Sequence, residues 1–384
     1  MSVDGREPRN SVLVYRDRIA PRSEAQFLRR QYVGFERLTP VWVGCRTDAG
    51  LPDLGVQPLI IGRPGAFGAL DRMRFKQLGV LPAQPDLQAL RARIVHAQFG
   101  RGGALALPIA RALGIPLVVT FHGGDATKEK HYSKSIIPTV FQRRLGALQR
   151  EAALFLCVSQ FVSDRLAARG FPTDKLRVIR LGVEIQPEAP LREAAHPPHF
   201  VFVGRFVEKK GITHLIEAAR IRAANGSPIG LALIGDGPLM GALKEQAQGL
   251  PGVTFPGWLP SHQVRDHVRG AAALCAPSVA SQDGDTDGLP TVILEAMADG
   301  VPVIGSRQAG IAEAVEDRVT GLLVTPASPQ ALADAIQAIV DQPDWRRAMG
   351  TAARQAVQER FNAMRQSRLL EDALIEITQR SAAA

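Results

Sequence analysis

Short apolar runs recur along the chain, each followed by a longer amphipathic stretch, and this alternation constrains the fold more than any other feature. The first half carries SVLVY, TPVWVG, LIIG, RIVHA, PLVVTFH, ALFLCVS and LRVI. Such a rhythm marks parallel strands joined by crossover helices. It breaks at EIQPEAPLREAAHPPH, where four prolines and no periodicity predict an interdomain linker. It then restarts with HFVFVG, GLALIG, GVTFPG, AALCAP, VPVIGS and GLLVT. A chain of 384 residues is too long for one ordinary core. The expected architecture is α/β, with two doubly wound, Rossmann-like parallel-sheet domains facing each other across a cleft. Their expected bounds are residues 1–183, a linker over 184–197 and residues 198–350. Helices over 351–384 are expected to pack back toward the first domain, with LLEDALIEI offering an apolar face at 369, 370, 373, 374 and 377. In doubly wound sheets ligands bind beyond the carboxyl ends of strands, so the residues just after each run carry most weight.

Charge divides the same two halves. Residues 1–183 hold 28 Lys and Arg against 14 Asp and Glu, a net of +14, whereas residues 184–384 hold 18 against 23, a net of −5. A basic first half suits an anionic partner. Nucleic acid is excluded as that partner, because the cations are scattered, aromatics make up only 5% and no recognition motif appears. An anionic saccharide, a phosphorylated substrate and the inner membrane surface remain. The three cysteines are far apart and lie in apolar runs, which predicts neither a disulfide framework nor a zinc site and fits a reducing cytoplasm. ALALPIARALGIPLVVTF is broken by Pro108, Arg111 and Pro116 and reads as a helix and a strand, not a membrane span. The polar MSVDGREPRN does not read as a signal peptide.

Three places combine strand ends with reactive chemistry. FVFVGRFVEKKGITHLIEAA sets Gly204 and Arg205 after a strand and Lys210 before a helix, so a guanidinium, an ammonium and backbone amides meet where a diphosphate could bind. LIGDGP follows the next strand, with Gly235 and Gly237 permitting close approach and Asp236 able to accept a hydrogen bond. The third place is DGDTDGLPTVILEAMADG, which opens like a calcium loop. Counted from Asp283, however, the twelfth position is Leu294, and Glu295 comes one residue late to close the coordination sphere. An Asp-x-Asp site holding a divalent ion on a sugar nucleotide is a second metal reading, and a solvated acidic loop is its alternative. Pro290 is expected to open a helix and Gly300 to end it, with Glu295 facing the loop. A carboxylate there suits vicinal hydroxyls such as those of a ribose, while N–H groups near Leu289 and Pro290 suit phosphate oxygens.

With GRFVEKKG, LIGDGP, FPGWLP and DGLPTVILEAMADGVPVIGS in this order, residues 199–326 resemble the carboxy-terminal domain of the retaining glycosyltransferases of family 4, which have the two-domain GT-B fold. The resemblance implies a retaining, metal-independent transfer of a sugar from a nucleotide-diphosphate donor to an acceptor hydroxyl, with no cofactor. It implies that Arg205 and Lys210 bind the donor diphosphate, that Glu295 binds the ribose and that the backbone of Gly288 and Leu289 meets the phosphates and sugar. It places Trp258 beside the base. The family's paired acids are two glutamates separated by seven residues; here Asp287 occupies the first place and Glu295 the second. The shorter Asp287 withdraws its carboxylate by about a bond length. A nucleotide-sugar epimerase of the same architecture and a non-catalytic sugar-nucleotide binder are the alternatives.

The first half is similar, in APRSEAQFLRRQ and HAQFGRGG, to transferases that build bacterial surface polysaccharides. The Gly-Gly turn of many relatives is replaced by Arg16-Asp17-Arg18. His122 in FHGGD ends a strand, and in similar enzymes that position touches the donor sugar. Arg16, Arg22, His96, Arg101 and Lys128 are the candidates for contact with a saccharide or lipid-linked acceptor. The loop TKEKHYSK and the arginines at 16, 18, 22, 29 and 30 are also candidates for membrane contact.

Overall fold

The computed structural model describes residues 10–20, 24–48, 57–185 and 198–383. Most of the expected linker, residues 186–197, lies outside them, as does Arg22. The chain forms two compact units, one comprising residues 1–180 and 363–384 and the other residues 181–362. No helix among the described residues is long and apolar enough to cross a membrane.

In the first unit every apolar run becomes a strand: β1 (Ser11–Tyr15), β3 (Thr39–Gly44), β5 (Leu59–Ile60), β6 (Ala92–Gln98), β7 (Leu117–Phe121), β8 (Leu154–Cys157) and β9 (Leu176–Val178). They form one sheet in the order β5-β3-β1-β6-β7-β8-β9, and its pairings are parallel. β2 (Arg18–Ile19) and β4 (Arg46–Thr47) form a small separate ladder after β1 and β3. Strand order reverses between β1 and β6, which opens a crevice at their carboxyl ends.

The helix Ala363–Ala383 completes this core. Its Leu370, Ala373, Leu374 and Ile377 pack with Val12, Val14, Ile94 and Val118. Leu369, expected on the same face, is instead exposed, because 369 lies about 100° around the helix from 370 and falls on its outer side. Glu371, only 1% exposed, accepts the backbone N–H groups of Glu36, Arg37 and Leu38 at 3.0, 2.7 and 2.7 Å. Those amides replace the water that a buried carboxylate loses.

The second unit holds β10 (His199–Val203), β11 (Gly230–Ile234), β12 (Val253–Gly257), β13 (Ala273–Ala276), β14 (Val303–Ser306) and β15 (Gly321–Val324). Their order is β12-β11-β10-β13-β14-β15, again with parallel pairings. The reversal here falls between β10 and β13. The expected cut at residue 350 falls inside the helix Pro343–Arg360, whose Met349 packs into this unit's core with Leu322 and Ile336. That contact keeps the whole helix with the second unit.

Candidate active site

The reversal between β10 and β13 gathers the donor-side residues. After β10 the chain passes Gly204 and the exposed Arg205 into a short 3-10 turn, Glu208–Lys210, and then the helix Ile212–Ala224 begins. Gly211, between turn and helix, has φ +63°, and a Cβ there would stand 1.9 Å from the Pro277 carbonyl oxygen just after β13. Only glycine lets the lysine turn lie against the end of the neighbouring strand. Gly235, after β11, repeats the device with φ +138° and a Cβ position 1.9 Å from the Gly204 oxygen. Asp236 spends one carboxylate oxygen on the Gly237 amide at 2.7 Å.

This packing brings lysines and acids together. Lys210 Nζ lies 2.7 Å from Asp287 Oδ2, while Lys209 Nζ lies 3.2 Å from Asp287 Oδ1 and 3.0 Å from Asp285 Oδ1. Ser278 Oγ donates to Asp287 Oδ2 at 3.0 Å. Burial alone would raise the Asp287 pKa, but the charges of Lys210 and Lys209 overcome it and hold the carboxyl down at about 2. Burial likewise works against the Lys209 ammonium, and the charges of Asp287 and Asp285 outweigh it and raise its pKa. The third alternating acid, Asp283, accepts from Ser281 Oγ at 2.7 Å. The acids of the loop are thus held by cations and hydroxyls, and among the described residues no group of three or more His, Cys, Asp or Glu forms a metal-binding cluster. Lys209 and Ser278 were not singled out from the sequence; the doubled lysine facing alternating acids is the signal that could have found them.

Gly288 and Leu289 are buried just before the helix Thr291–Ala298, on which Glu295 is half-buried. Pro290 is the residue before that helix and not its first member. As an imino acid it has no N–H to offer. The amides at this helix start are those of Leu289, Thr291 and Val292. Trp258 follows β12 and is 61% exposed.

The first unit builds a second set of strand-end residues. His122 leaves β7, and Asp125 holds the turn behind it by accepting the backbone amides of His122 and Gly123 at 3.0 and 2.9 Å and that of Gly100 at 3.0 Å. The His122 ring lies 4.4 Å from the ring of Phe99 and 5.1 Å from that of Phe27, centroid to centroid. Phe99 has φ +68°, a left-handed conformation costly for a bulky residue, and the Arg16 guanidinium stacks 4.5 Å above its ring.

A buried relay fixes the proton on His122. Gln98 Nε2 donates to Tyr32 Oη at 2.8 Å, so its Oε1 is the atom facing His122 Nε2 at 2.7 Å and must accept. His122 therefore carries its proton on Nε2. Its Nδ1 is buried with no hydrogen-bond partner and keeps an unused lone pair. Burial, and then the Arg16 charge, push the His122 pKa well below its ordinary value and keep the ring neutral. Gln98, Phe99 and Asp125 were missed in the sequence; the acid three residues after His122 is a local-turn signal that could have revealed Asp125.

His96 requires a correction. It sits within β6, fully buried, with Tyr32 Oη at 2.8 Å from Nδ1 and Thr120 Oγ1 at 2.7 Å from Nε2. Both nitrogens are spent inside the core, so it presents nothing to an acceptor; it anchors the far end of the relay. Arg101 is exposed in the first turn of the helix Gly100–Leu113, with one nitrogen 3.4 Å from Asp17. Lys128 precedes the short helix Glu129–Tyr132.

Comparison with known proteins decides the family. A model of glycosyl transferases group 1 matches residues 197–342, and one of glycosyltransferase family 4 matches residues 36–186. WcaL of Escherichia coli, by name a colanic acid biosynthesis glycosyltransferase, is 33% identical over 284 residues, which span 71% of this chain and 68% of that protein. The chain is a family 4 glycosyltransferase. AmsK of Erwinia amylovora, by name an amylovoran biosynthesis glycosyltransferase, is 34% identical over 63% of this transferase and 60% of its own length. Anabaena HepE, solved with UDP-glucose, shares the transferase's fold at TM-score 0.75 and 19% identity, covering 96% of this chain and 99% of its own.

Proposed function

We propose that this transferase moves a sugar from a nucleoside-diphosphate donor to a saccharide acceptor, carried on lipid at the inner membrane surface, in building a bacterial surface polysaccharide. The reaction proceeds with retention and without a metal ion. The observation that carries this reading is the pair of lysines sharing one aspartate, its side chain only 10% exposed, at the β10/β13 reversal. As the glycosidic bond breaks, negative charge grows on the departing diphosphate, and fixed cations beside it stabilise the transition state more than the ground state. Two lysines on one carboxylate allow Lys210 to turn to a phosphate oxygen while Lys209 still neutralises Asp287. Arg205 and the amides at the start of the helix Thr291–Ala298 add to that field. Glu295 accepts from the ribose hydroxyls. The polysaccharide setting is supported by the names of WcaL and AmsK, and a UDP-sugar donor by the ligand of HepE.

The test has two stages. Nucleotide sugars are screened by thermal shift, where a ligand at a hundredfold excess over its Kd adds about 2.7 kcal/mol and raises Tm. Transfer from the selected donor is then followed in EDTA, and the anomeric configuration of the product is read by NMR. Undiminished turnover and a product with the donor's configuration are expected. Loss of turnover restored by manganese would overturn the metal-free reading, and an inverted product would overturn retention.

A further inference from the structure

The acidic loop over residues 277–287 is tied to the lysine turn along its length. Beyond the contact of Gly211 with Pro277, the Val279 amide donates to the Lys209 carbonyl at 2.8 Å, and the Gln282 amide donates to Glu208 Oε1 at 3.2 Å. The last tie is the Lys209 ammonium, which bridges Asp285 Oδ1 at 3.0 Å and Asp287 Oδ1 at 3.2 Å. Two of the three alternating acids are thus spaced around a cation that the chain itself carries.

Charge gives this bridge its consequence. The side chains of Lys209 and Asp285 are 20% and 15% exposed, and those of Lys210 and Asp287 are 17% and 10% exposed, so two cations face two anions with little water to screen them. When a diphosphate draws Lys210 away, Asp287 must keep its charge in that setting and beside further negative charge. A carboxylate so little exposed is unfavourable without a partner. Lys209 supplies one. It lies against the Asp287 oxygen that Lys210 does not use, and Ser278 Oγ keeps the other oxygen at 3.0 Å. Lys209 is poorly placed to act as a second phosphate ligand, because reaching a phosphate would mean leaving both carboxylates.

We infer that Lys209 is a positioning residue, the internal counter-ion that holds Asp285 and Asp287 together and so releases Lys210 to the donor diphosphate. The inference rests on the proposed function, since it takes the β10/β13 reversal as the donor site. The test is calorimetric titration of the full chain with UDP, and with GDP and ADP in parallel. Lys209→Met keeps the stem and removes the charge; Asp287 is then left to Lys210, and nucleotide affinity should fall about tenfold. Lys209→Met/Asp287→Asn also removes the charge that detains Lys210, and affinity should return to within about threefold of wild type. A residue that touched phosphate directly, or that only supported the fold, would leave the double variant as weak as the single one. That result, or wild-type affinity in Lys209→Met, would overturn the inference. Asp285→Asn reads the same bridge from its other end and serves if the lysine variant does not fold. With one acid fewer to share, Lys209 sits more firmly on Asp287, so affinity should hold or rise; a loss of about tenfold would overturn the inference. If the wild-type chain binds none of the three nucleotides, the donor reading falls and this inference falls with it. If it binds one and the variants depart from these expectations, the role of Lys209 falls alone.

Discussion

At the residue scale the donor side turns on Asp287 and its two lysines. Lys210→Ala removes the cation best placed to meet a departing phosphate, and turnover should fall by about two orders of magnitude, as for the loss of one charge-stabilising group. Steady-state kinetics with the donor identified by thermal shift checks this; a near wild-type rate would remove Lys210 from the mechanism. Stability should behave differently. Because Lys210 and Asp287 are partners at 2.7 Å, the double variant Lys210→Ala/Asp287→Ala should lose less stability than the two single changes summed, by about 0.5–3 kcal/mol in denaturant unfolding. Strict additivity would mean the pair is not coupled. The candidate status of Lys210, Asp287 and Glu295 was legible in the sequence, because motif order and spacing identify strand ends. That Lys209 shares Asp287 was not, because both adjacent lysines reach one carboxylate only through the way Gly211 lies against Pro277.

At the scale of elements, the lysine turn and its helix are held by that glycine. Gly211→Ala would force a Cβ into the Pro277 carbonyl and demand a left-handed backbone from alanine, so a loss of about 2–4 kcal/mol is expected, read as a lower midpoint in urea. Gly226→Ala, where a Cβ would meet nothing within 4 Å but the backbone is equally left-handed at φ +75°, isolates the conformational part and should cost less. The strands were readable in advance because a parallel strand buried on both faces must be apolar at nearly every position. The turns between them were not, since their form follows from hydrogen bonds such as those of Asp125 to three separate amides. His96 shows the limit most clearly. A histidine in a strand reads the same whether its ring faces a crevice or a tyrosine in the core.

On the scale of the whole molecule, two neutral histidines, His96 fully buried and His122 partly so, make stability depend on pH. Burial holds His96 at about 3 and His122 below its ordinary value, whereas an unfolded histidine takes a proton near pH 6.5. The unfolded chain therefore binds protons that the folded one refuses, and the stability due to the neutral rings is full above about pH 6.5 and lost as pH falls toward 3. Each refused proton costs about 1.4 kcal/mol per pH unit in that window. Melting curves from pH 8 to about 5 should show Tm falling below about 6.5, and His96→Gln should flatten the fall. An unchanged slope would show that His96 is not among the groups responsible.

The helix Ala363–Ala383 has a temporal consequence. Its Leu370 and Leu374 finish a core begun by Val12 and Val14, so a nascent chain leaving the ribosome can complete its second unit while the first still lacks a wall. Closure of that sheet waits until the helix Ala363–Ala383 has been made, and until then Glu36, Arg37 and Leu38 await the carboxylate that will bind their amides.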